Sequence, residues 1–100
     1  MNLERQDETD RIRVRIEGSL DSNSAIEAMR ALDALVAEAP PRVELDLSGL
    51  QRIDSAGVGA IVTLFRKLRA FGGHLDLVGL SGQPRALFQL LRLDRVFGVE

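Results

Sequence analysis

Three short segments of this chain alternate apolar with polar or charged residues, and a stretch with helical periodicity follows each of them. The alternating segments are residues 11–17, 43–47 and 74–78. A period of two predicts half-buried β-strands. Strands that alternate with helices along a chain pair in parallel through right-handed crossovers. Because a sheet covered on both faces has strands that are apolar throughout, these strands predict helices on one face only.

The pattern as a whole predicts an α/β fold of two layers, with a mixed, mostly parallel sheet of four to five strands and the helices packed on one face. The remaining elements are predicted from periodicity and turn residues: a strand at 3–6, helices at about 26–36, at about 57–71 and from Pro84, and an edge strand at 96–99. Gly18 is expected to end the strand at 11–17. Gly72 and Gly73 are expected to end the second helix as glycine C-caps do.

The apolar residues of the two longer helices predict which of their faces point inward. In the first helix they are Ile26, Met29, Leu32, Leu35 and Val36. In the second helix one arc holds Val58, Ile61, Leu64, Phe65 and Leu68. Val62 falls outside that arc, beside Gly59, Thr63 and Arg66. This small group of residues on the second helix is therefore a candidate docking surface for a partner.

Length and composition exclude several classes of function. One hundred residues predict one domain, spanning 1–100. A net charge of −2 offers no basic face for nucleic acid. With no cysteine and one histidine, His/Cys metal sites and histidine-based catalytic triads are nearly excluded, so neither an enzyme nor a cofactor is expected.

The N-terminal residues are too polar for a signal peptide, so none is expected, and no apolar run approaches the roughly 18–20 residues of a membrane span. A monomeric, cytoplasmic protein without membrane partners is the expectation.

The segment 50–60 places a carboxylate, a hydroxyl and two glycines at the junction between a strand and a helix. Either Asp54 or Ser55 can cap that helix. A serine at a helix N-terminus can also carry a phosphate, because the helix dipole favours negative charge there. Gly57 and Gly59 either permit a tight first turn or allow a partner chain to approach closely. Asp21 either caps the first helix or shares in a partner site.

Four motifs occur in order along the chain: Gly-Ser-Leu-Asp at 18–21, Val-Glu-Leu-Asp-Leu-Ser-Gly-Leu at 43–50, Ile-Asp-Ser-Ala-Gly-Val-Gly-Ala at 53–60 and Gly-Gly-His-Leu-Asp-Leu-Val-Gly-Leu at 72–80. This set resembles the STAS domain family, and more closely its free-standing members, the bacterial anti-sigma factor antagonists. The resemblance spans about residues 10–99.

The resemblance implies a partner-switching regulator whose phosphorylated residue is Ser55. In that family a serine kinase that is also an anti-sigma factor binds the unphosphorylated antagonist and releases the phosphorylated form, which a metal-dependent serine phosphatase resets. The resemblance places Asp21 beside the phosphorylation site. Ala56 stands where many relatives have serine or threonine, which leaves Ser55 as the motif's only acceptor.

The partner-binding residues predicted from the motifs and the second helix are Asp21, Asp54, Ala56, Gly57, Gly59, Val62, Thr63 and Arg66. Similar STAS domains are also accessory subunits of ABC-type lipid transporters, often without phosphorylation. That role is the alternative implied by the same resemblance.

Overall fold

The computed structural model describes residues 1–98. Its elements follow the order β1 (Asn2–Asp7), β2 (Ile12–Leu20), α1 (Ala25–Val36), β3 (Arg42–Asp46), β4 (Leu50–Ile53), α2 (Ser55–Ala70), β5 (His74–Val78), α3 (Gly82–Leu90) and α4 (Leu93–Val96). The three alternating segments are strands, and helices follow β2 and β5 as predicted. The short strand β4, which lies in the motif before Ser55, was not predicted as a strand.

Within residues 1–98 the sheet has five strands and is mixed but mostly parallel, as predicted. Strands β1, β2, β3 and β5 are neighbours in that order, and β4 pairs with β2. The only antiparallel pair of the described residues is β1 with β2. The crossover through α1 joins the parallel strands β2 and β3, which places α1 against the sheet.

The prediction that Gly18 ends the second strand is wrong. Strand β2 continues to Leu20, and the register shifts between Gly18 and Ser19. Residues 12–15 of β2 pair with β3, and residues 18–20 pair with β4, so the shift lies within the pairing with β4. Gly18 has a φ of +88° and donates its N–H to the carbonyl of Gly49 at 2.9 Å, so the glycine permits an irregularity inside the strand.

One hydrophobic core lies between the sheet and the helices. Val14 and Leu45 from the sheet are buried in it together with Leu35 and Ile61 from α1 and α2. The charged residues of the strands lie off this core and form ion pairs across the sheet. Arg13 Nε lies 2.6 Å from Glu44 Oε2, and Arg42 Nε lies 3.6 Å from Asp76 Oδ2. The predicted arrangement of helices on one face is therefore confirmed.

Helix α2 ends as its two glycines predict. Gly72 has a φ of +83° and donates its N–H to the carbonyl of Arg69 at 3.1 Å. Gly73 donates to the carbonyl of Leu68 at 2.8 Å, which completes a Schellman motif. The helix therefore spans 16 residues between a carboxylate cap and a glycine cap.

The edge strand predicted at 96–99 is not present in the described residues. Val96 ends the short helix α4, and Phe97 packs edge to face on Phe65, with ring centroids 5.0 Å apart. Aromatic packing on α2 thus replaces strand pairing here. Val99 lies outside the described residues.

Between residues 1 and 98, no helix is long and apolar enough to cross a membrane. Over the same range, no group of three or more His, Cys, Asp or Glu side chains is placed to hold a metal ion.

Candidate functional site

Asp54 is the N-cap of α2, which decides between the two predicted caps. Its backbone is extended, and Oδ1 accepts the N–H of Gly57 at 3.0 Å. This is the bond by which an aspartate cap satisfies a free N–H in the first turn of a helix. The second oxygen, Oδ2, accepts the N–H of Ser22 at 3.1 Å. One carboxylate therefore fixes the start of α2 and ties it to the loop after β2.

Asp21 organises that loop rather than capping α1 directly. Its Oδ1 accepts the N–H groups of Asn23 at 3.0 Å and of Ser24 at 3.2 Å. The hydroxyl of Ser24 in turn donates to the carbonyl of Ser19 at 2.9 Å. These bonds form a compact turn ahead of α1, of which Ser24 is the N-cap residue. Asp21 is thus near the start of α2, but its carboxylate is occupied by its own loop.

Gly57 is required by a close approach inside the molecule. A Cβ at this position would lie 2.2 Å from the carbonyl oxygen of Leu20 and 2.7 Å from Cγ1 of Ile53. That same carbonyl accepts the N–H of Asp54 at 3.3 Å. Gly57 is buried against the end of β2, so packing inside the molecule accounts for the glycine, and its contact with a partner stays a prediction. Gly59 differs, because a Cβ there would meet nothing within 4 Å.

Ser55 is the first residue of α2 and is exposed. Its hydroxyl makes no hydrogen bond to any other residue of the range 1–98, so it is not spent on capping. Ser55, Gly59, Val62 and Arg66 follow each other at intervals of three or four residues and form one stripe of α2. Ser55 and Gly59 are exposed, and Val62 is half-buried. Arg66 is also exposed and lies about 16 Å from Ser55 along the helix axis.

Thr63 widens this stripe on one side and Ala56 borders it, and both residues are half-buried. We call Ser55, Gly59, Val62, Thr63 and Arg66 the α2 stripe. The structure therefore brings Asp21, Asp54, Ser55 and Ala56 together at the start of α2. The other predicted partner-binding residues follow along the helix.

Sequence reasoning missed an exposed apolar residue near this site. Ile26 was assigned to the inner face of the first helix, but its exposed fraction is 64%. The inner face is formed instead by Ala25, Ala28, Leu32 and Leu35. Ile26 lies in the first turn of α1, directly after the loop that Asp54 holds. Ala25 and Ala28 are buried but only weakly apolar, so the predicted inner face was placed on the larger Ile26 instead.

The family described as "Mlab, STAS domain" matches residues 1–99. The anti-sigma-B factor antagonist of Listeria monocytogenes is 28% identical over 93 residues, which cover 93% of this chain and 82% of that protein.

Two solved structures share the fold. One is an anti-sigma factor antagonist from Mycobacterium paratuberculosis, which is 25% identical with a TM-score of 0.84, over 96% of this chain and 81% of that one. The other is the Bacillus cell fate determinant SpoIIAA in its phosphorylated form, which is 22% identical with a TM-score of 0.76, over 94% and 86% of the two chains. On the strength of a family match that covers residues 1–99, the chain belongs to the STAS domain family.

Proposed function

We propose that this protein is an anti-sigma factor antagonist switched by phosphorylation of Ser55. The observation that carries the proposal is the exposed, unbonded hydroxyl of Ser55 at the first position of α2, directly after a capping aspartate. The antagonist name of the Listeria relative supports the same role. The proposed partners are an anti-sigma factor that is also a serine kinase, and a metal-dependent serine phosphatase.

The chemical step belongs to the kinase, and this chain supplies the acceptor. Ser55 Oγ forms a bond to the γ-phosphorus of ATP while the bond from that phosphorus to the β–γ bridging oxygen breaks. ADP leaves, and the hydroxyl proton passes to a base of the kinase. The phosphatase reverses the modification by hydrolysis. No catalytic group of this chain takes part, which fits a regulatory binding protein.

The surface proposed to bind the kinase combines the loop after β2 with the α2 stripe. Gly59 and Val62 present little bulk, so a partner can approach the helix backbone closely. Ile26 adds an apolar side chain beside this surface. Single exposed apolar residues are common on proteins. Here, however, Ile26 directly follows the loop whose Ser22 is bonded to Asp54, so a partner that covers this loop can also bury Ile26.

Ile26→Ser is expected to weaken binding of the anti-sigma factor about 5- to 30-fold, because an apolar anchor buried by a partner contributes about 1–2 kcal/mol. The free energy of unfolding should change by less than about 0.5 kcal/mol, since the side chain is already exposed. Titration calorimetry with the purified partner measures the first quantity and urea unfolding the second.

Leu90→Ser is the matched control for Ile26→Ser, because Leu90 is 78% exposed and lies on α3. Equal affinities of the two variants would remove Ile26 from the proposed surface.

The function itself is tested by the intact mass of the protein isolated from its native host across growth conditions. We expect a species heavier by one phosphate, which is absent when Ser55 is replaced by alanine. Because Ser55 is exposed, Ser55→Ala should fold normally, and circular dichroism checks that it does. A phosphate that persists in Ser55→Ala would place the modification elsewhere and contradict the proposal.

A constitutive accessory subunit of an ABC-type lipid transporter is the alternative implied by the family resemblance. It predicts no phosphate under any condition and co-purification with an ATPase and a permease. The exposed serine hydroxyl favours the antagonist role over this one, because a constitutive subunit does not need a modifiable residue at its docking surface.

A further inference from the structure

The side chain of Gln83 makes two hydrogen bonds to the backbone of one residue next to the switch. Gln83 Oε1 accepts the N–H of Ile53 at 2.8 Å, and Gln83 Nε2 donates to the carbonyl of Ile53 at 2.9 Å. Both groups of Ile53 point to the same side of β4, away from β2. A glutamine amide thus occupies the place that the backbone of another strand would take.

This contact joins α3 to the residue that immediately precedes the cap. Ile53 is followed by Asp54, whose carboxylate holds the N–H groups of Gly57 and Ser22. Gln83 itself lies in the first turn of α3, a helix whose Pro84 and Phe88 are buried. The helix is therefore anchored by the core, and its Gln83 amide can fix the end of β4 from the side opposite β2.

We propose that Gln83 is a positioning residue for phosphorylation of Ser55. The proposal rests on the proposed function and adds to it a residue of α3 that no motif includes. Loss of the Gln83 amide frees the Ile53 backbone, and the Asp54-Ser55 segment then samples orientations in which Ser55 Oγ is not aligned for in-line attack on the γ-phosphorus. Phosphoryl transfer depends strongly on such alignment.

The test measures phosphate incorporation at Ser55 in native-host extract supplied with Mg-ATP, over a range of concentrations of the added protein. Gln83→Ala is expected to lower the maximal rate about three- to tenfold, because it removes two partly buried hydrogen bonds. The half-saturating protein concentration should change less than about twofold, because the proposed docking surface is intact. Gln83→Glu keeps the acceptor for the Ile53 N–H but loses the donor. Its maximal rate should lie between those of the unmodified protein and Gln83→Ala.

Gln89→Ala is the matched control. Gln89 lies in the same helix and is exposed, and its side chain makes no hydrogen bond within residues 1–98. The maximal rate of phosphate incorporation into Gln89→Ala should equal that of the unmodified protein. Amide hydrogen exchange separates positioning from general destabilisation: in Gln83→Ala the N–H of Ile53 should exchange about three- to tenfold faster, while that of Leu45 in β3 should not.

Two outcomes would overturn the inference while leaving the proposed function intact: equal maximal rates for Gln83→Ala and Gln89→Ala, or equal acceleration of exchange at Ile53 and Leu45. If the unmodified protein is not phosphorylated at Ser55 at all, the proposed function fails, and the role of Gln83 fails with it.

Discussion

Replacing Gly57 with alanine is expected to lower the free energy of unfolding by about 3 kcal/mol, near the upper end for overpacking a core. The new Cβ would lie 2.2 Å from the carbonyl oxygen of Leu20, which is a backbone atom and cannot rotate away. Leu20 is fully buried, and its carbonyl already accepts the N–H of Asp54. Relief therefore requires α2 to shift away from the end of β2, which also weakens the cap at Asp54.

Gly59→Ala is the matched control, and it should raise the free energy of unfolding where Gly57→Ala lowers it. Nothing lies within 4 Å of a Cβ at this position, so the substitution introduces no clash. Alanine is favoured over glycine inside a helix by about 1 kcal/mol, and the variant should be more stable by a similar amount. Urea unfolding measures both variants, with the m-value as a check on two-state behaviour. Equal effects of the two substitutions would contradict the close packing of Gly57 on Leu20.

Phosphorylation of Ser55 is expected to weaken binding of the anti-sigma factor about 30- to 1,000-fold, which corresponds to about 2–4 kcal/mol. The phosphate adds a charge of about −1.5 to −2. Within the protein the N-terminus of α2 partly offsets this charge, so the fold should be retained. At the interface the phosphate lies next to Asp54 and adds bulk where Gly59 leaves the helix backbone open.

The affinity of the phosphorylated protein is measured by calorimetry against the unmodified protein, with Ser55→Asp as a weaker mimic. Ser81→Asp is the matched control, because Ser81 is also exposed and is the N-cap of α3. It adds the same charge at a helix N-terminus outside the proposed surface and should bind as tightly as the unmodified protein. Retained affinity after phosphorylation of Ser55 would rule out release by charge and bulk.

The elements with a clear period were predictable from the sequence. Alternation located β2, β3 and β5, and the helical period located α1 and α2. The strand β4 was missed because it has four residues, of which the middle two are exposed, so no alternation is visible. The C-terminal strand prediction failed because Val96 and its neighbours are apolar without a period, and packing of Phe97 on Phe65 decides their conformation.

The candidate site was only partly predictable for a related reason. Asp54 and Ser55 stand out because their types and position mark a helix start. The need for glycine at position 57 depends on the carbonyl of Leu20, which lies far away in sequence. Gln83 was missed because it bonds the backbone of Ile53, and every residue type has the same backbone N–H and carbonyl groups apart from proline. Contacts of this kind become visible only when the fold brings the segments together.

The hydrogen bonds of Asp54 that join the loop after β2 to the start of α2 affect which forms of the chain the proposed kinase can recognise. The proposed acceptor, Ser55, follows a carboxylate that accepts the N–H groups of both Ser22 and Gly57, and it begins a helix that packs on the end of β2. A short peptide around Ser55 has none of these partners and is a poor helix by itself. Chains that have not yet folded, or that have unfolded, would therefore not be phosphorylated. The phosphorylated protein in a cell would consist only of molecules that have completed folding.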